Sequence, residues 1–140
     1  MKKLLVVLML SIAAAASAQD LTPDNYRDAK RETKRNLTIV EWNTDSKTGT
    51  RWKDRQTTYD SAGRKVETVE YARYGQKWRE TYEYGENDRI CREVYYNEKD
   101  KPELIRKYEY DADGRKVRQL NYAPNGKLMT TKVFEYIVEK

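Results

Sequence analysis

The sequence predicts a mostly β chain. It reads as an antiparallel up-and-down meander of seven or eight strands, in a strongly twisted single sheet or an open barrel, with a short N-terminal helix after a signal peptide. Three observations carry this. Tyrosines recur at Tyr59, Tyr71, Tyr84, Tyr96, Tyr110, Tyr122 and Tyr136, with gaps of 12, 13, 12, 14, 12 and 14 residues. The position two before each tyrosine is usually apolar or aromatic, as in Val69, Tyr82, Val94, Tyr108, Leu120 and Phe134. That is the period-two pattern of a half-buried strand. Turn signals separate the strands, and a spacing of about 12 residues leaves no room for a crossover helix, so neighbours must run antiparallel.

The elements follow in chain order. Lys2 and Lys3, the apolar run Leu4 to Ala16 and the small residues Ala16-Ser17-Ala18 read as a secretory signal peptide over residues 1–18, cleaved after Ala18. The apolar run is too short for a bilayer span. No cysteine follows the cleavage point, so a lipid anchor is not expected, and the location is periplasmic or secreted. Residues 19–36 form a helix or arm: Thr22-Pro23-Asp24 is a helix-start signal, and Tyr26, Ala29, Thr33 and Leu37 share one helical face. Residues 37–140 form the tyrosine-rich β domain. Its first strand runs from Leu37 to Asn43, where Trp42 takes the part of the repeated tyrosines. The turns that follow include Asp60-Ser61-Ala62-Gly63, Gly85-Glu86-Asn87-Asp88, Asp111-Ala112-Asp113-Gly114 and Pro124-Asn125-Gly126.

Composition excludes several function classes. The 140 residues contain no His and one Cys. There is no Ser–His–Asp or Cys–His constellation, no imidazole metal site and no internal disulfide. Cys91 is read as a small buried apolar residue. Leu, Ile, Val, Phe and Met are sparse, and 12 Tyr with 3 Trp take their place. The expected core is therefore thin and aromatic, with Lys, Arg and Glu stems lying over it.

The units Tyr59-Asp60-Ser61-Ala62-Gly63-Arg64 and Tyr110-Asp111-Ala112-Asp113-Gly114-Arg115 resemble the tyrosine–aspartate (YD, or Rhs-type) repeat. Tyr84 to Arg89 and Tyr122 to Lys127 look like degraded copies, so the resemblance covers roughly residues 52–136. It implies a β-hairpin building block without catalytic residues. The chain is also similar in size, signal peptide and tyrosine-rich strands to small exported domain-of-unknown-function proteins of the Bacteroides type, which implies an envelope location.

Asp111-Ala112-Asp113-Gly114 starts like a calcium loop, but Tyr122 stands where the twelfth-position acid belongs, so it reads as a turn. Glu67 and Glu80, four before their tyrosines, are expected side by side on one face. They read as a charge ladder with Arg55 and Arg92, and otherwise as a paired-carboxylate hydrolase site. The same offset places Arg92, Arg106, Arg118 and Lys132 in one basic row, with Glu70, Glu83, Glu109 and Glu135 on the opposite face. A one-residue register slip would move these charges. The ligand-binding candidates are Trp42, Trp52 and Trp78, which break the tyrosine pattern, with Arg92, Arg106, Arg118 and Lys132.

These readings converge on a non-enzymatic protein-interaction or structural module of the cell envelope. The alternative is a carbohydrate- or anionic-polymer-binding module. No metal or cofactor is expected. The partner is an envelope protein or an extracellular glycan, and not nucleic acid, since the mature chain has a small net charge and leaves the cytoplasm.

Overall fold

The computed structural model describes residues 29–140; the expected signal peptide and most of the expected helix lie outside them. Eight strands follow in chain order: β1 (Thr38–Thr44), β2 (Arg51–Tyr59), β3 (Lys65–Ala72), β4 (Gly75–Tyr84), β5 (Ile90–Tyr96), β6 (Pro102–Tyr110), β7 (Lys116–Tyr122) and β8 (Leu128–Val133). They form one open antiparallel sheet in the order β1 to β8, so the expected meander is present and does not close into a barrel. Among the described residues α-helix is confined to one turn at 29–32. No helix there is long and apolar enough to cross a membrane.

The turns explain the Tyr-Asp pairs. Asp60 Oδ1 accepts from the backbone N–H groups of Ala62 and Arg64, both at 2.9 Å, and Asp111 Oδ1 accepts from that of Arg115 at 2.8 Å. Each aspartate thereby satisfies a turn backbone that has no strand partner. Gly63 sits at φ +76°, and an added Cβ would lie 2.0 Å from the carbonyl oxygen of Arg31. The N-terminal segment is pressed onto this turn, which a side chain at position 63 would prevent.

Every hairpin carries one extra residue early in its returning strand. Glu83 opposes Arg92 while Tyr84 opposes Ile90, so Cys91 has no partner of its own. Asp54, Val66, Lys77, Glu103, Val117 and Met129 are the corresponding residues elsewhere. These are β-bulges, and each reverses the inward–outward parity of the rest of its strand. The repeated tyrosines therefore alternate between faces. Tyr59, Tyr84 and Tyr110 point to one face, here the front. Trp42, Tyr71, Tyr96 and Tyr122 point to the back, by direct opposition across the ladder.

This corrects the expectation that all the tyrosines share a face. The repeating unit is a hairpin rather than a strand: Tyr59, Tyr84, Tyr110 and Tyr136 are 25, 26 and 26 residues apart. The bulge also dissolves the expected charge segregation. Arg55 pairs with Glu70 rather than Glu67, at 3.4 Å, and Arg92 pairs with Glu83 rather than Glu80, at 2.9 Å. Arg118 meets Glu109 at 2.7 Å. The acids assigned to an opposite face thus stand beside the bases, and neither face is uniformly charged.

With one layer there is little interior. Among the described residues the buried hydrophobic side chains are Val69 and Val94, at 4% and 5% exposure, and both lie on the back face. Long side chains cover them; Arg79, directly opposite Val69, lies 3.9 Å over the Tyr96 ring and pairs with Glu67 and Asp100. Lys53 spans Trp42 and Tyr71, and Lys107 covers Tyr122. Such contacts contribute about 0.5–1 kcal/mol each at exposed sites. Cys91 is half-buried with a free thiol, against the expected full burial.

Candidate functional site

The front face repeats one local arrangement three times. The hydroxyl of Tyr84 donates to the carbonyl of Lys65 at 2.8 Å, that of Tyr110 to Ile90 at 2.6 Å, and that of Tyr136 to Lys116 at 2.7 Å. Each acceptor immediately precedes a bulge residue. The arginine before it, Arg64, Arg89 or Arg115, lies over the same tyrosine ring at 4.9, 5.6 or 5.5 Å. A turn arginine and the tyrosine of the next unit, repeated together, thus build a repeated carbonyl cap and cation–π contact.

The middle unit departs from its neighbours at several positions. Ile90 stands where the other units have Lys65 and Lys116, Glu93 where they have Thr68 and Gln119, and Glu80 where they have Arg55, Arg106 and Lys132. Gly85 replaces the turn aspartate, and Asp88 replaces the turn glycine of Gly63 and Gly114. Asn87 and Asp88 consequently adopt left-handed φ values of 61° and 57° within a single 3-10 turn.

These departures gather in one region. Glu80 and Glu93, on adjacent strands, are bridged by Arg106, whose Nη1 lies 3.7 and 3.5 Å from their carboxylates. Tyr82 donates to Glu80 at 3.2 Å and Tyr108 to Glu93 at 2.8 Å. Burial, reinforced by the neighbouring Glu93 charge, pushes the Glu80 carboxyl up. Burial likewise raises the Tyr82 hydroxyl to about 12 and moves that of Tyr108 upward. At the turn, hydrogen bonds from Arg64 and then Arg31 hold Asp88 below the ordinary carboxylate range. Beside this network lies a cavity of about 320 Å³, walled by Tyr84, Tyr108, Tyr110 and Ile90, with Arg89 and Lys116 at its margin. Arg31 closes one side from the N-terminal segment, so that segment covers this end of the front face.

The sequence candidates are distributed differently. Trp42 is on the back face, 45% exposed, under the Arg51 guanidinium at 4.0 Å. Trp52 and Trp78 are on the front; Arg73 lies over Trp52 at 4.2 Å, and Trp78 stacks on Tyr95 at 6.1 Å. The structure brings the three together at no one point. Arg92 and Arg118 face the back, whereas Arg106 and Lys132 face the front, so the expected basic row is divided by the bulges. The three arginines are ion-paired, and Lys132 lies over Phe134 at 5.3 Å. Glu67 and Glu80 also occupy opposite faces, since Glu67 opposes Thr81. The carboxylate pair that forms is Glu80 with Glu93. Aligning the chain on itself at 25–26 residues, rather than about 12, exposes Ile90, Glu93, Glu80 and Asp88 as the irregular positions.

No protein-family description and no curated protein matches the chain. Among the solved structures that align with it are a mutant of S. aureus TarM crystallised with fondaparinux, α-GlcNAc-glycerol and UDP, and TarM itself. Each alignment has 19% identity and covers 74% of this chain, with TM-scores of 0.34 and 0.36. The chain spans about a fifth of each TarM chain, 22% of its length.

Proposed function

We propose that this chain is an exported, non-enzymatic module of the cell envelope that binds an extended segment of a partner protein along β8. The observation behind this reading is the β8 edge itself. The strand pairs with β7 alone and is exposed along its full length. Leu128, Met129 and Val133 are 46%, 59% and 70% exposed, and Ile137 and Val138 continue the apolar surface. An unpaired ladder edge gives main-chain hydrogen bonds to an incoming strand, and side chains beside it give selectivity. Among the described residues the turns are tight, with no long loop to shield a reaction centre from water, which favours binding over catalysis.

The test places a photocrosslinking residue at Thr131 and, separately, at Lys77 in the sheet centre, in cells exporting the full chain. The expected result is one discrete adduct from position 131, lost when Met129→Lys and Val133→Lys are combined, and none from position 77. Equal adducts from both positions, or none from 131, overturn the reading.

A further inference from the structure

We propose that the front-face cavity between the β4–β5 and β6–β7 hairpins is a binding site for an acidic sugar of the hexuronic-acid class. The inference is independent of the β8 edge, which lies on other strands.

Arg89 is an arginine whose acid is missing. In the first hairpin unit Arg64 reaches across to the next turn, where Asp88 receives it at 2.8 Å. Arg89 is the same arginine one unit later. It reaches across in the same way, so closely that a Cβ on Gly114 would lie 2.2 Å from its Nη2. Gly114 occupies the position of Asp88 and carries no carboxylate. Among the described residues Arg89 has no ion pair, and its recorded partner is the face of Tyr110. Lys116, on the other side of the cavity, also has no ion pair, and lies 4.0 Å over Tyr108 and 5.7 Å over Phe134. Two cations therefore border one cavity without an ion pair for either, because the carboxylates that share its lining are held elsewhere, Asp88 by Arg31 and Arg64 and Glu93 by Arg106. A ligand carboxylate there would complete for Arg89 the pairing that Asp88 gives Arg64, as a charge-assisted contact.

The remaining walls define the body that carries the carboxylate. A cavity of about 320 Å³ is larger than a bare anion needs and lies in the range of small-ligand pockets. Tyr84, Tyr110 and Ile90 contribute two aromatic rings and an apolar side chain to the lining, groups of the kind that accept the C–H side of a pyranose. Ile90 stands between Lys65 and Lys116 in the repeat, so an apolar side chain lies inside the cavity where the neighbouring units carry a charge. Asn87 and Glu93 supply amide and carboxylate groups for sugar hydroxyls. Flat apolar walls, hydroxyl partners and an unanswered positive charge together describe an acidic sugar better than a neutral one.

The experiment titrates the mature chain with methyl glucuronide, methyl glucoside, acetate and a short aspartate-containing peptide, following backbone NMR shifts. Glucuronide is expected to shift the amides around Ile90 and Lys116; methyl glucoside should bind at least about tenfold more weakly, the cost of one charge-assisted contact, and acetate and the peptide, which keep the carboxylate but lack the pyranose, at least about tenfold more weakly through the lost wall contacts. Arg89→Gln should lower glucuronide affinity by a similar factor. Gly114→Asp supplies the missing acid within the protein and should do the same, while Arg118→Gln on the back face should leave affinity unchanged. Far-UV circular dichroism of each variant separates lost binding from lost folding, and Arg89→Gln carries the test if Gly114→Asp does not fold. Equal binding of methyl glucoside, equal binding of acetate or the peptide, no glucuronide binding at millimolar concentration, or full retention in Arg89→Gln overturns the proposal. Loss of the Thr131 crosslink alone leaves it standing.

Discussion

Single side chains in this sheet act mainly by closing polar accounts that the bulges open. The Tyr110 hydroxyl caps the Ile90 carbonyl at 2.6 Å, so Tyr110→Phe should cost about 1 kcal/mol in urea unfolding. Tyr136→Phe should cost less, since that residue is 47% exposed and its carbonyl partner can be hydrated instead. The Glu80 carboxyl titrates above its unfolded range because of burial and then the Glu93 charge. The folded chain therefore holds that proton more tightly, and this term weakens folding as pH rises through the raised value. Glu80→Gln should be more stable than the parent at neutral pH, with the gain fading below the unfolded carboxylate value of about 4.3. Asp88 behaves oppositely. Its arginine hydrogen bonds lower its titration, so its contribution is full above the unfolded range and is lost as pH falls through the folded value. Asp88→Asn should flatten the acid limb of the thermal-unfolding profile. At the β2–β3 turn, Gly63→Ala meets both a φ of +76° and the Arg31 carbonyl, whereas Gly49→Ala meets a φ of +72° and open space. The second should lower stability by about 1–2 kcal/mol and the first by clearly more.

At the level of the strand, the bulge decides what faces what. Deleting Cys91 from β5 would put Arg92 directly after Ile90, so Ile90 still opposes Tyr84, Arg92 still opposes Glu83 and Val94 keeps its place in the back-face core, with only the kink lost. The deletion variant should therefore keep a cooperative thermal transition at a lowered melting temperature, whereas Cys91→Ala, which keeps the kink, should melt within a few degrees of the parent. The meander was legible in the sequence because tyrosine spacing, alternation and turn residues all agree on it. The faces were not. Cys91, Val66 and Val117 are ordinary strand residues, and nothing in their side chains marks the backbone kink they carry. Every inference that rested on parity, including the Glu67–Glu80 neighbours and the basic row, was therefore inverted in alternate strands. The candidate cavity was illegible for a related reason. It becomes visible on comparing Lys65, Ile90 and Lys116 two strands apart, whereas the apparent period was one.

Across the molecule, a single layer divides stability unevenly. Burial is concentrated in β3 and β5, at Thr68, Val69 and Val94, and β8 has no buried residue. Amide hydrogen exchange should be slowest at those three positions and fastest along β8, a gradient that a two-layer sandwich with a central core would not produce. Each hairpin touches little beyond its neighbours, as in other repeat proteins. The alternation of faces also acts as a counting rule for growth of the architecture. Adding or removing one 25- or 26-residue cassette leaves every downstream side chain looking the way it did. A change of about half that length turns the remainder of the chain over, exchanging its two surfaces. Insertions and duplications that survive here should come in whole pairs of ribbons.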